Sequence, residues 1–270
     1  SALFYPAGIN AMWNTSVIAL ALAAAPLTLT VGPLVTLNLL LVLAPVLSAW
    51  VVFLLARRYV RRLAAFVAGL VYGFSPYFVG QAVHLHLTFA LFPPVLAAFL
   101  IEIVGVQRLP PKRLGLALGA AYGVQLLIGE ELLASSTVLA AATLVVLALV
   151  RRDLVRQRLP YALSAIGVAL VTVVVIDALP LAVQFFGPQR LHGVVQATHP
   201  GSDVLSLVVP TTLQVLHPSS GVVARVSGAN LTEQTSYVGL PGAARRVERR
   251  GRARAANAGA AARATDRQAG

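Results

Sequence analysis

The sequence contains no cysteine, so neither a disulfide framework nor a thiolate metal site can form, and cysteine usage says nothing of the redox compartment. Charge is scarce as well: 11% of the 270 residues are charged, against about 25% in ordinary soluble domains. Acidic groups are the scarcest, with 9 Asp and Glu against 21 Lys and Arg. No Gly-rich phosphate loop or zinc motif occurs, and Ser202-Asp203 shows no hydrolase elbow. What fills the chain instead is apolar, 58% of all residues. Such a composition specifies an integral membrane protein, in which length counts spans of roughly 20 residues.

The formal charge of +12 suggests a nucleic-acid binder until it is mapped. Residues 241–270 carry eight arginines against Glu248 and Asp266, which is half of the excess. Most of the remainder lies in three clusters: Arg57, Arg58, Arg61 and Arg62; Arg108, Lys112 and Arg113; and Arg151, Arg152, Arg156 and Arg158. Between them fall candidate spans at 33–56, 63–79, 87–106, 114–129, 132–150 and 160–183, helical because lipid leaves any open backbone unsatisfied. The clusters occupy alternate loops, so the positive-inside rule places all three in the cytoplasm and sends residues 80–86, the Gly129-Glu130-Glu131 turn and everything after about 184 outside. No nucleic-acid partner is expected; the lipid bilayer is.

The expected fold class is therefore all-α, a polytopic transmembrane helix bundle of about six spans over 33–183. An outer interfacial or re-entrant helix precedes it, within an external lead-in over 1–32. The apolar run from Thr15 to Val31 is interrupted by Pro26 and closed by Gly32-Pro33, and as a full span it would invert the arginine pattern. Residues 184–240 form an external loop region. Residues 241–270 are built almost entirely from Ala, Arg and Gly and are expected to form a disordered basic tail. Because Tyr237-Val238-Gly239-Leu240-Pro241 reads as the start of another helix, one expectation is that the reading frame is lost there. The abrupt beginning likewise reads as a fragment that has lost an N-terminal span.

Two spans are short. Sixteen residues rise only about 24 Å, less than the roughly 30 Å hydrocarbon core, so the polar groups that follow Phe78 and Gly129 should sit at or just below the outer interface around an aqueous recess. Both helices carry glycines at four-residue spacing, Gly69 and Gly73 in one and Gly115, Gly119 and Gly123 in the other, which permits close approach of a partner helix without naming it. The stretch SPYFVGQAVHLHLT brings Gln81, His84 and His86 to that level. A histidine there is either an ordinary interfacial residue or a hydrogen-bond donor and proton carrier; two of them at this spacing make no coordination shell, and no metal site is expected. Glu130 and Glu131 are either a polar hairpin tip or functional carboxylates, and adjacent helical positions point about 100° apart, so at most one faces a given pocket. Asp177 stands alone late in its span and could pair with a neighbouring helix. Glu102 is expected to snorkel or to pair with Arg108. Arg190 and His192 follow the last span, where a guanidinium could hold a phosphate.

The order of three stretches resembles multi-pass membrane glycosyltransferases of the C-type superfamily. These are an external segment ending in an interfacial helix (YPAGINAMWNTSVIALALAAAPLTLTVGP), a span ending in LLARRYVRRLAAFVAGL, and a short helix topped by FSPYFVG. The finer pattern QAVHLHL, QLLIGEELLASS and GANLTEQTSYVGLP is similar to uncharacterised members from high-GC bacteria, and the likeness covers about residues 1–240. It implies an enzyme of the bacterial plasma membrane that moves a sugar from a polyprenyl-phosphate donor to an outer-face acceptor. That family's acid, which deprotonates the acceptor or binds a divalent cation, lies in a loop upstream of residue 1, so no residue here inherits the role. Gln81, His84, His86, Glu130 and Glu131 would wall the cleft, and Arg190 with His192 would meet the donor phosphate. A transporter or flippase of a lipid-linked or small polar substrate, and a non-enzymatic membrane subunit, remain the competing classes.

Overall fold

The computed structural model describes residues 8, 10–13, 17–189, 205, 208–212 and 217–226. The chain divides into two compact units, Ser1–Gln196 and Ala197–Gly270. The tail expected at 241–270, and Arg190 and His192, lie outside the described residues.

The described residues of the first unit form helices joined by turns, with no strand among them. A 3₁₀ turn (Ala11–Trp13) leads to α1 (Ile18–Val31), α2 (Pro33–Ala56), α3 (Arg62–Gly73), α4 (Pro76–Gly80) and α5 (Leu85–Thr88). Next come α6 (Phe92–Ile101), prolonged by a π-helical turn (Glu102–Val106), and then α7 (Pro111–Leu126), α8 (Glu130–Val150) and α9 (Arg152–Phe186). In the second unit the described residues hold one short helix, α10 (Ser220–Val226), around a buried Val223.

Five stretches are long and apolar enough to cross a membrane: Pro33–Ala56, Arg62–Gly80, Leu85–Val106, Glu130–Val150 and Arg152–Phe186. Their outward faces are apolar too, with Leu34 76% and Val175 73% exposed, which is the surface a helix presents to lipid rather than to water. The remaining expected span, 114–129, is α7, whose 16 residues rise about 24 Å. It is packed by α6, α8 and α9, and its three glycines, Leu114 and Leu118 are buried. α1, with 14 residues, is likewise too short to cross. It turns into α2 at Gly32, whose φ of 88° lies in the left-handed region that a side chain would strain.

The glycine stripes do not meet each other. α3 packs on α2, where a Cβ on Gly69 would lie 2.6 Å from the Ala49 carbonyl oxygen. α7 packs on α9, where a Cβ on Gly119 would lie 2.6 Å from the Ala169 carbonyl oxygen. Each stripe thus brings a different pair of backbones into contact, and larger residues complete the interior: Phe92, Leu96 and Leu118 in one cluster, Ile103 and Leu114 in another.

These contacts give the bundle two chemically distinct ends. At one end the arginine-bearing turns converge: Arg158 donates to the Gln107 carboxamide oxygen, and the Tyr161 hydroxyl donates to the Leu109 carbonyl at 2.7 Å. Glu102 accepts from the Leu109 amide at 2.8 Å, which takes the place of the expected pairing with Arg108. The other end collects the polar turns.

Candidate functional site

The polar end is organised around the turn between α7 and α8. Gln125, buried in the last turn of α7, donates its carboxamide to the Gly129 carbonyl at 3.1 Å, and the Gly129 amide donates back to the Gln125 carbonyl at 2.8 Å. That reciprocal pair satisfies groups that a helix end leaves open. His86 of α5 lies against the turn, so close that a Cβ on Gly129 would stand 3.2 Å from the His86 Cβ. The start of α1 is tied to the same place, its Ala19 amide donating to the Leu127 carbonyl at 3.1 Å. The lead-in is fixed to the end of α9 by Asn10, which donates to the Val183 carbonyl at 2.8 Å, and by an edge-on contact of Trp13 with Phe185 at 5.5 Å.

α8 opens with Glu130 and Glu131, both exposed, where the positive end of the helix dipole favours carboxylates. The two diverge as their adjacency requires. Glu130 turns to α9 and accepts from the Gln184 carboxamide at 2.9 Å. Gln184 is 4% exposed, and its own carbonyl oxygen has no partner among the described residues. This pair closes one end of a groove of about 510 Å³ between α7, α8 and α9. Leu126, Leu133, Leu181 and Phe185 make its walls apolar, and Tyr122 and Thr137, hydrogen-bonded to each other at 3.2 Å, add hydroxyls farther in. Such dimensions and composition fall within the range of small-ligand sites.

Glu131 faces the other side. Its charge acts on both His86 and Tyr77, which places it beside α4 and α5. His84 and His86 stack edge to face at 5.9 Å, and the buried His84 Nδ1 has no hydrogen-bond partner among the described residues. Gln81 is buried in the turn between these helices, its carbonyl accepting from the His84 amide at 2.8 Å. The residues that the sequence singles out thus form two half-sites flanking the first turn of α8: Glu130 with Gln184, and Glu131 with His86, His84 and Tyr77.

Gln184, Gln125 and Tyr77 were not anticipated from the sequence. The available signal was a lone carboxamide inside an apolar helix, a group that needs a partner wherever it is buried. Among the described residues no three His, Asp or Glu side chains converge as a metal would require. The divalent cation admitted by the resemblance therefore has no evident ligand set among them.

Asp177 is the remaining polar group of the interior. It is fully buried in the seam between α7 and α9, where one carboxylate oxygen would lie 2.9 Å from a Cβ on Gly123. Neither oxygen has a partner among the described residues, so the expected pairing with a neighbouring helix is not found. Seven residues separate it from Gln184, about 10 Å along α9. No family model, no curated protein and no solved structure matches the chain.

Proposed function

We propose that this chain is part of a membrane glycosyltransferase that moves a sugar from a polyprenyl-phosphate donor to an acceptor at the polar end of the bundle. What supports the reading is a single juxtaposition: the Glu130–Gln184 pair stands at the end of an apolar groove between lipid-facing helices. A lipid-linked sugar is amphiphilic in the same sense, with an isoprenoid chain for the apolar walls and hydroxyls for the carboxylate and the open Gln184 carbonyl. In this scheme Glu130 and Gln184 orient the sugar by accepting from its hydroxyls. On the other flank His86, which lies against the Gly129 turn, serves in this scheme as a hydrogen-bond donor or acceptor to the substrate. Arg190 and His192 belong to the donor phosphate in the same scheme, on chemistry alone.

The test is sugar transfer by the intact gene product from polyprenyl-phosphate donors. A hydrogen bond to a charged group contributes about 1.5–3 kcal/mol, so Glu130→Ala should lower transfer about 10- to 150-fold. Unchanged transfer in both Glu130→Ala and Arg190→Ala would remove these site assignments, and no transfer from any such donor would remove the function.

A transporter or flippase is the second reading, and Asp177 is the observation that favours it. Ionisable groups buried at membrane depth mark translocation paths. Substrate movement without chemistry, abolished in Asp177→Asn, would select that class.

A further inference from the structure

The basic end of the bundle carries a second cavity, remote from the rim. It lies between α2 and α6, has a volume of about 280 Å³, and is walled by Val51, Leu55, Val95, Ala98 and Phe99. Arg58 stands in its lining, in the turn just after α2. The Arg58 side chain makes no hydrogen bond or ion pair among the described residues, whereas its neighbour Arg57 is placed over the Phe53 ring at 5.8 Å. Glu102 also lines the cavity, but its carboxylate is engaged by the Leu109 amide at 2.8 Å. The turn after α2 with the first residue of α3, and the loop before α7 with its first turn, together supply six arginines and Lys112 against that one carboxylate.

We infer that this cleft holds an anionic phospholipid, its phosphate on Arg58 and the upper part of one acyl chain along Val51, Leu55 and Phe99. Charge complementarity selects the occupant. A cleft open toward lipid and apolar over its depth would take any acyl chain, but an unengaged guanidinium at its mouth, within a strongly basic loop cluster, favours a head group of net negative charge. The depth agrees: Val51 lies five residues inside the end of α2, about 8 Å, which is the reach of an acyl chain's first carbons below a phosphate at Arg58. The inference depends on the membrane reading of the helices and on neither activity proposed for the rim.

Native mass spectrometry of the purified full chain in detergent tests it, with added dioleoylphosphatidylglycerol, dioleoylphosphatidylcholine or inorganic phosphate as probes. Phosphatidylglycerol adducts should survive detergent removal about five- to tenfold better than phosphatidylcholine adducts, as one added basic contact implies. Arg58→Gln should abolish that preference, and Ala98→Phe, which fills the cleft, should reduce adducts of both lipids. Arg152→Gln, a change of equal charge on α9, should leave the preference intact. Equal retention of the two lipids, or a preference that survives Arg58→Gln, overturns the inference. So does displacement of phosphatidylglycerol by millimolar phosphate, which would mark a plain anion site, or a protein dimer lost in Arg58→Gln, which would mark a second copy in the cleft. Arg58 is exposed, so its variant decides the matter even where Ala98→Phe fails to fold.

Discussion

Replacing Gly119 by alanine tests the packing that holds α7 in the bundle. The added Cβ would lie 2.5 Å from the Thr172 Cβ and 2.6 Å from the Ala169 carbonyl oxygen. Carbon atoms in contact settle near 3.5–4.0 Å, so α9 must retreat by about 1 Å, and the same displacement loosens Gly115 and Gly123 along the seam. Overpacking of this kind costs about 1–3 kcal/mol. Gly167 on α9 provides the control: nothing lies within 4 Å of its would-be Cβ, and alanine there gains about 1 kcal/mol of helix propensity. Thermal unfolding in detergent should therefore show Gly119→Ala about 3–10 °C below the parent protein and Gly167→Ala level with it or above. Equal losses in the two variants, or none in Gly119→Ala, would refute the close helix contact.

Asp177→Asn keeps the shape of a carboxyl group that has no partner to lose, so its unfolding temperature should stay within about 3 °C of the parent, whereas a paired carboxylate would cost about 3–5 kcal/mol. A fall of 10 °C would place an ionic partner beside it. Glu130→Gln and Gln184→Leu share one hydrogen bond and should be coupled by about 1 kcal/mol in a double-mutant cycle of detergent unfolding, discounted because Glu130 is exposed. Glu131→Gln, directed to the opposite flank, should add to Gln184→Leu within about 0.5 kcal/mol, and coupling in that second cycle would collapse the two half-sites into one.

The helical architecture was legible because lipid enforces it: long apolar runs punctuated by arginine clusters leave little choice of secondary structure. Boundaries were legible only where apolarity itself ends. α9 runs from Arg152, eight residues before the apolar segment expected at 160–183, because a helix continues past the bilayer into a basic turn that hydropathy excludes. The expected span 87–106 is interrupted at residues 89–91, because Pro93 and Pro94 cannot donate to the preceding turn, and it ends in a π turn over Glu102–Val106. The glycine stripes announced close contacts but not their partners, since spacing encodes a face and not its neighbour. In the same way the divergence of Glu130 and Glu131 followed from helix geometry, while Gln184 and Tyr77, distant in sequence, became visible only in three dimensions.

The central claim is that the arginine turns and the carboxylate–histidine rim lie on opposite sides of a membrane. The absence of native cysteine makes single-cysteine labelling decisive. Val60, in the first arginine turn, and Val83, 77% exposed between α4 and α5, are the positions to replace. With a membrane-impermeant maleimide, Val83→Cys is expected to react in intact cells and Val60→Cys only in everted vesicles. Reaction of both from the same side would contradict the account.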